Sequence, residues 1–320
     1  MSLIGHDEPW REWRDAMAGP RMHHAWLLAG KSGLGKMQFA LAAARELVAE
    51  PGVHQPEDHH PDIHILTHLP KDDKEERKKA DGKPFELKRN ISIAQIRAMQ
   101  QRLNTRPTLG ERRAIIIDPA DDMEKGASNA LLKSLEEPPR GTYFLLVAHR
   151  PARLLPTIRS RCRTLRFPIV DDEQMVMLLS REVPEADRDA LNAAVAAANG
   201  SPGAALNFIA RDLGPLNTIM QRIARGGDPD FTLRGQLADA IGTRPDRARI
   251  QASLDLARAV IGGMAQECST EQIPEMAEAH AQLVTLTGQA PTFNFDAGLL
   301  IMEIGTLLAS AAPRRDRANA

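Results

Sequence analysis

Short apolar segments alternate with amphipathic helical patterns in the first half of the chain. Residues 25–29 (AWLLA) and 114–118 (AIIID) are apolar over four or more consecutive positions. Strands that are apolar throughout and alternate with helices indicate a parallel sheet covered on both faces. The pattern therefore predicts an α/β domain, with further strands at 62–67, 143–148 and 164–167.

Helices are predicted between these strands, at about 37–48 and 124–136. The second of them ends before Pro138, because a residue that precedes a proline disfavours the helical conformation. A third helix is expected to start after Ser92, where Gln95 three residues later completes a capping box.

Beyond Pro168 the pattern becomes helical only. Residues 171–209 are rich in alanine and are interrupted by the turn sequence NGSPG at 199–203, and helical periodicity continues from about residue 212. The predicted domains are an α/β domain at 1–168, a small helical domain at 169–211 and an all-α C-terminal domain at 212–320.

The composition excludes several classes of function. The 320 residues include 41 basic and 42 acidic side chains, which argues against a protein that binds nucleic acid mainly through net charge. Cys162 and Cys268 are too few for a disulfide framework or a cysteine zinc site. The N-terminus has no apolar signal segment, and the apolar stretch 298–312 is too short to span a bilayer. We expect a cytoplasmic protein.

A phosphate-binding loop is predicted at residues 30–37, GKSGLGKM, between a strand and a helix. The glycines Gly30, Gly33 and Gly35 let backbone N–H groups close around phosphates, and Lys36 would reach the outer phosphates.

Two positions at this loop depart from a hydrolytic site. Met37 stands where a Ser or Thr hydroxyl would hold Mg²⁺, and a thioether is a poor ligand for a hard cation. Pro119 follows Asp118 where a glutamate would polarise the attacking water. We therefore expect no ATP turnover, no cofactor and no metal; weak binding of ATP or ADP through Lys36 is the alternative.

Four segments resemble a known family. They are the Ser-Arg-Cys run at 160–162, NALLKSLEEPP at 129–139, HAWLL at 24–28 and GSPG at 200–203. Together they resemble the clamp-loader subunits of bacterial DNA polymerase III, members of the AAA+ superfamily, and most nearly the delta prime group. The resemblance covers residues 23–206, and the C-terminal third fits the family's collar domain only in general character.

The resemblance implies an AAA+ fold with a helical lid and a collar that mediates oligomerisation. It implies a non-hydrolysing subunit in a hetero-pentamer with the gamma/tau motor subunits and delta, part of the polymerase III holoenzyme. That assembly loads a sliding clamp on primer-template DNA, with no membrane involved. Arg161 would then be an arginine finger for a neighbour's ATP site, a task that suits a permanently charged guanidinium able to bridge phosphate oxygens.

Several departures from the family pattern accompany this resemblance. The nucleotide-sensing lid arginine of active relatives is replaced by Ala204, and the polar residue expected after strand 143–148 is replaced by His149, which we expect to be a solvated loop residue. The family's four-cysteine zinc module is absent, and the histidines in its place predict no zinc site. The charge run at 71–79 is expected to be a solvated insertion.

Other interpretations remain open from the sequence. The chain could be an active AAA+ ATPase with an atypical site, which Met37 and Pro119 argue against. It could also be a P-loop small-molecule kinase, which would leave the Ser-Arg-Cys run and the helical C-terminal domain unexplained. Arg161 could instead be an ordinary surface ion-pair residue, whereas Ser160 and Cys162 are expected to shape and pack the loop. The apolar residues Leu299, Leu300, Ile304 and Leu307 fit either a subunit contact or the core of their own domain.

Overall fold

The computed structural model describes residues 6–56, 58–265, 268–290 and 295–313. The chain divides into two compact units, Met1–Ile169 and Val170–Ala320. The outermost ends of the predicted domains, residues 1–5 and 314–320, lie outside the described residues.

A parallel sheet forms the centre of the first unit. Within the described residues it has five strands in the order β2-β3-β4-β1-β5, and every neighbouring pair is parallel. The strands are β1 (Ala25–Ala29), β2 (Ile63–Leu66), β3 (Arg113–Ile117), β4 (Thr142–Ala148) and β5 (Arg163–Arg166). All five predicted strands are confirmed to within one residue at each end.

Helices cover both faces of this sheet, as the apolar strands predicted. Alternate residues of one strand enter different cores, so that Ile115 and Ile117 pack on one face while Ile116 packs on the other with Trp13 and Phe39. The helices are α1 (Asp7–Ala18), α2 (Lys36–Val48), α3 (Asp73–Ala80), α4 (Ile93–Arg102), α5 (Lys125–Glu136) and α6 (Pro156–Arg159).

The charged segment 71–79 is mostly exposed, as expected of a solvated insertion, but from Asp73 onwards it forms helix α3, which the sequence did not predict. Asp72 caps the helix by accepting the backbone N–H groups of Lys74 and Glu75. Glu75 is buried and accepts hydrogen bonds from Lys78 Nζ and from the backbone N–H of Glu86, at 2.7 Å each. The carboxylates of Asp72 and Glu75 therefore have hydrogen-bond partners nearby, and these hydrogen bonds stabilise the helix.

The second unit is helical and has a continuous core. Leu300, Ile304 and Leu307 are buried in that core, whereas Leu299 is exposed. The division into a lid and a collar near residue 211 stays a prediction. None of the helices in the described residues combines the length and hydrophobicity needed to cross a membrane. The helices are α7 (Asp172–Glu182), α8 (Arg188–Ala198), α9 (Pro202–Ala210), α10 (Gly214–Gly226), α11 (Thr232–Ile241), α12 (Arg247–Met264), α13 (Ile273–Gln289) and α14 (Ala297–Ser310).

Candidate functional site

The predicted phosphate loop connects the end of β1 to the start of α2. Gly33 and Gly35 both have φ of +78°, a conformation that favours glycine. A Cβ atom on Gly30 would lie 2.7 Å from the Phe167 carbonyl oxygen, so this position also requires glycine. The structure thus brings together the glycines that the motif singled out, at the N-terminus of a helix.

The ammonium group of Lys36 binds the loop itself. Nζ donates to the carbonyl oxygen of Gly30 at 2.7 Å and also to that of Lys31. Burial lowers the pKa of Lys36 from its ordinary value of 10.5 to about 8, although the carboxylates of Asp118 and Asp121 act in the opposite direction. The cation that would contact phosphates in a nucleotide site therefore already has acceptors.

His6 joins the loop from a distant part of the sequence. Its Nε2 donates to the carbonyl oxygen of Leu34 at 2.5 Å, and its ring meets that of Phe167 edge-on with a centroid separation of 4.9 Å. Sequence reasoning missed this residue because no motif marks it. The contact depends on how the start of α1 packs beside the loop.

The residues beside Lys36 do not match the donor set of a hydrolytic P-loop site. Met37 packs its side chain against the apolar core at the position where a hydroxyl would hold Mg²⁺. Asp118 supplies a carboxylate, and burial raises its pKa. Pro119, which follows it, offers no acceptor for a proton of water. Of Met37, Asp118 and Pro119, only Asp118 offers a side-chain oxygen to a hard cation.

His149 lies against Asp118 and is not the solvated loop residue expected from the sequence. Its side chain is 29% exposed, and its Nε2 is 4.0 Å from Asp118 Oδ1, too long for a hydrogen bond. Burial and the Lys36 charge lower its pKa. His149 lies beside Asp118 because β3 and β4 are parallel neighbours, so that the residues after their carboxyl ends are adjacent.

Asp121 holds the end of β4 in place, and sequence reasoning missed this residue. Its carboxylate accepts the backbone N–H groups of His149 and Arg150 at 2.8 and 3.1 Å. The residue is buried, and Arg150 Nε lies 3.7 Å from its Oδ2. In the sequence, the position of Asp121 three residues after Asp118 is only a weak signal of this role. Its hydrogen-bond partners lie 28 and 29 residues later in the chain, and only the fold brings them beside it.

Arg161 sits on a turn that is anchored to the core from both sides. Ile158 is fully buried on α6, and Cys162 packs against the same core, where burial raises the pKa of its thiol to about 12. Ser160 Oγ donates to the Thr157 carbonyl oxygen at 3.1 Å. The structure confirms that Ser160 and Cys162 shape and pack this turn.

The guanidinium group of Arg161 lies at the surface of the unit, with its side chain 35% exposed. Nη1 donates to the Thr157 carbonyl oxygen at 2.9 Å, and Nη2 pairs with Glu136 Oε1 at 2.6 Å. Its hydrogen-bond partner lies on α6 and its ion-pair partner on α5, whereas the acceptors of Lys36 belong to the phosphate loop.

The remaining predicted positions have ordinary structural roles. Ala204 lies in the first turn of α9, where its backbone N–H donates to the capping hydroxyl of Ser201 at 3.3 Å. His60 Nε2 donates to Gln55 Oε1 at 2.6 Å. Among the residues that the structure describes, no three His, Cys, Asp or Glu side chains form a group suited to a metal ion.

A parallel sheet with a phosphate loop after its interior strand β1, joined to a helical second unit, defines a P-loop protein with the AAA+ fold. The fold agrees with that of a solved DNA polymerase III gamma subunit-related protein from Thermotoga maritima, at 18% identity and a TM-score of 0.51 over 95% of this chain and 99% of that one.

Sequence comparison identifies the family. The chain belongs to the family described as DNA polymerase III, delta subunit, whose model matches residues 5–171. It is 31% identical to the delta prime subunit of Pseudomonas aeruginosa DNA polymerase III over 208 residues, 61% of this chain and 58% of that protein. The delta prime subunit of Escherichia coli is 33% identical over 60% of this chain and 56% of that protein. The chain thus matches less than two thirds of the length of these relatives.

Proposed function

We propose that this chain is a clamp-loader subunit of DNA polymerase III that does not hydrolyse ATP and that supplies Arg161 in trans to the ATP site of a neighbouring motor subunit. One observation carries the proposal: a surface guanidinium stands on a core-anchored turn, in a chain whose own phosphate loop lacks the groups for hydrolysis. Membership of the delta subunit family of DNA polymerase III supports it.

The phosphate loop supports the proposal that the chain does not hydrolyse ATP. Met37 offers no hydroxyl for Mg²⁺, Pro119 offers no base, and Lys36 donates to its own loop carbonyls. In this interpretation the loop keeps the fold of a nucleotide site, and its glycines are retained for the close packing of β1, α2 and the segment after β5.

The turn at Arg161 supports the proposal that this side chain completes the ATP site of a neighbouring subunit. A guanidinium is charged at every physiological pH and can donate two parallel hydrogen bonds to phosphate oxygens. Ile158 and Cys162 anchor the backbone of the turn in the core, so that the turn presents the Arg161 side chain at a fixed place on the surface. In GTPases such an arginine raises the rate of hydrolysis by a factor of about 10³–10⁵.

The proposed partners follow from this role. The chain would assemble in a hetero-pentamer with gamma/tau motor subunits and delta, in the cytoplasm. Through that complex it would act on a sliding clamp and primer-template DNA. Leu299, exposed on α14 beside three buried apolar residues, is a candidate contact with a neighbouring subunit.

The test is DNA- and clamp-stimulated ATP hydrolysis by the reconstituted loader, comparing wild type with Arg161→Ala. We expect turnover to fall by about tenfold or more with assembly preserved, because the side chain is on the surface. Arg159→Ala is the matched control, since Arg159 lies two residues away on α6 and is exposed. Equal turnover in all three loaders would exclude the finger.

An active ATPase is the second candidate, and the intact glycine conformations with Lys36 favour it. It requires the isolated chain to hydrolyse ATP. The proposal expects no hydrolysis by the isolated chain at concentrations where the reconstituted loader is active, measured as released phosphate.

A further inference from the structure

Two elements hold the guanidinium of Arg161. The main chain of α6 accepts from Nη1 at Thr157, and the carboxylate of Glu136, the last residue of α5, pairs with Nη2 at 2.6 Å. Because a guanidinium is a rigid plane with fixed donor directions, contacts to two of its nitrogens define both its place and its orientation.

Glu136 is itself fixed by its surroundings. The preceding residue, Leu135, is buried, and its carbonyl oxygen accepts from His24 Nε2 at 2.8 Å. Pro138 prevents the helix from continuing. A carboxylate in the last turn of a helix faces the negative end of the helix dipole, which is unfavourable. The charge of Arg161 offsets that penalty, so the pairing has a physical reason on both sides.

The contact leaves the arginine able to act on a ligand. A guanidinium carries five N–H donors, and the two observed contacts are one hydrogen bond from Nη1 and one ion pair at Nη2. The side chains of Arg161 and Glu136 are 35% and 49% exposed. Donors therefore remain on a side chain that is held in one orientation and faces solvent.

We propose that Glu136 is a positioning residue that holds Arg161 ready for the phosphate of a neighbouring subunit, an inference that rests on the proposed function. A side chain ordered before the neighbour arrives does not lose that freedom at the moment of reaction. Glu136 touches no substrate and acts through Arg161 alone.

The test compares Glu136→Ala with Glu137→Ala in the reconstituted loader. Glu137 is the next residue, is exposed, and has no ion pair among the residues that the structure describes, so it controls for loss of one negative charge. For Glu136→Ala we expect kcat for stimulated ATP hydrolysis to fall about threefold to tenfold, in the lower part of the range of coupling between contacting residues. The KM for ATP should stay near that of wild type, and Glu137→Ala should match wild type.

Two further variants separate positioning from a structural role. Glu136→Gln keeps an oxygen that can accept from Nη2, so we expect an intermediate kcat; this variant carries the test if Glu136→Ala impairs assembly in gel filtration. In a loader that already carries Arg161→Ala, adding Glu136→Ala should cause no further loss, because the residue acts only through Arg161.

The outcomes distinguish this inference from the proposed function. No effect of Arg161→Ala would overturn both. A loss with Arg161→Ala but wild-type or raised turnover with Glu136→Ala would overturn the positioning role and leave the finger standing. Additive losses in the double variant would also overturn it, since Glu136 would then act elsewhere.

Discussion

Lys36 shows how a buried cation is accommodated within a loop of the phosphate-binding type. Its ammonium group is buried and donates to two carbonyl oxygens of the same loop. Burial makes the charged form costly, which is why its pKa falls to about 8. The residue therefore stabilises the loop through hydrogen bonds while reducing stability through a buried charge, and the second effect depends on pH.

Lys36→Met should separate these effects through the pH dependence of unfolding. Between pH 8 and 10.5 the folded chain has released the Lys36 proton while the unfolded chain still binds it, so wild-type stability rises with pH relative to the variant. Urea denaturation of both proteins from pH 7 to 10 measures this difference. Lys31→Met, which removes an exposed lysine of the same loop, is the control for loss of one positive charge. Parallel curves for wild type and Lys36→Met would contradict the lowered pKa.

The sequence predicts the loop residues but not their partners. Gly30, Gly33, Gly35 and Lys36 form one local run, and steric and helix-terminus arguments apply to it directly. The contacts of His6 with Leu34 and of Asp121 with residues 149 and 150 depend on the completed sheet, and no local pattern encodes them. The pairing of Arg161 with Glu136 is of the same kind, because it joins two elements 25 residues apart in the chain.

Helix α4 shows how a local signal fixes an element. Gln95 donates its backbone N–H to Ser92 Oγ, and Gln95 Oε1 accepts the backbone N–H of Ser92 at 3.0 Å, as the capping box predicted. Gln95 Nε2 also donates to the Thr67 carbonyl oxygen at 2.8 Å. The cap therefore ties the start of α4 to the segment that follows the edge strand β2.

Ser92→Ala should lower the free energy of unfolding by about 1 kcal/mol, because one helix N–H group loses its acceptor. Chemical denaturation followed by circular dichroism measures this loss. Ser92→Thr keeps a hydroxyl and should lie close to wild type. An Ala variant as stable as wild type would show that water replaces the cap at no cost.

At the element scale the strands were predictable and their order was not. A run such as residues 114–117 is too apolar to lie anywhere but in a sheet covered on both faces. The order β2-β3-β4-β1-β5 depends instead on which strands pair across long separations. Helix α3 was missed because its stabilising contacts, at Asp72 and Glu75, are between polar groups and leave no apolar periodicity.

The whole molecule consists of two units with separate cores. The three tryptophans of the chain, Trp10, Trp13 and Trp26, all lie in the first unit. Tryptophan fluorescence therefore reports on the first unit, whereas the helical signal in circular dichroism comes from both.

Leu254→Ala should destabilise the second unit without changing the fluorescence transition. Leu254 is fully buried on α12, and removing its side chain from a core costs about 2–5 kcal/mol. We expect part of the circular dichroism signal to be lost at lower urea, while the tryptophan midpoint stays at its wild-type value. Leu299→Ala, at an exposed site of the same unit, is the control. A shifted tryptophan midpoint would show that the two units unfold as one.

The position of β1 has a consequence for synthesis on the ribosome. Its apolar residues are made early, but Ala25 pairs with Phe144, about 120 residues later, and Trp26 pairs with Arg163. At about 5–20 residues per second, the nascent chain carries an unpaired apolar strand for roughly 6 to 24 s. Strand β1 is thus translated first among the five strands but pairs only with the last two, β4 and β5. Throughout that interval the emerging polypeptide depends on α1 and α2, or on a chaperone, to cover β1.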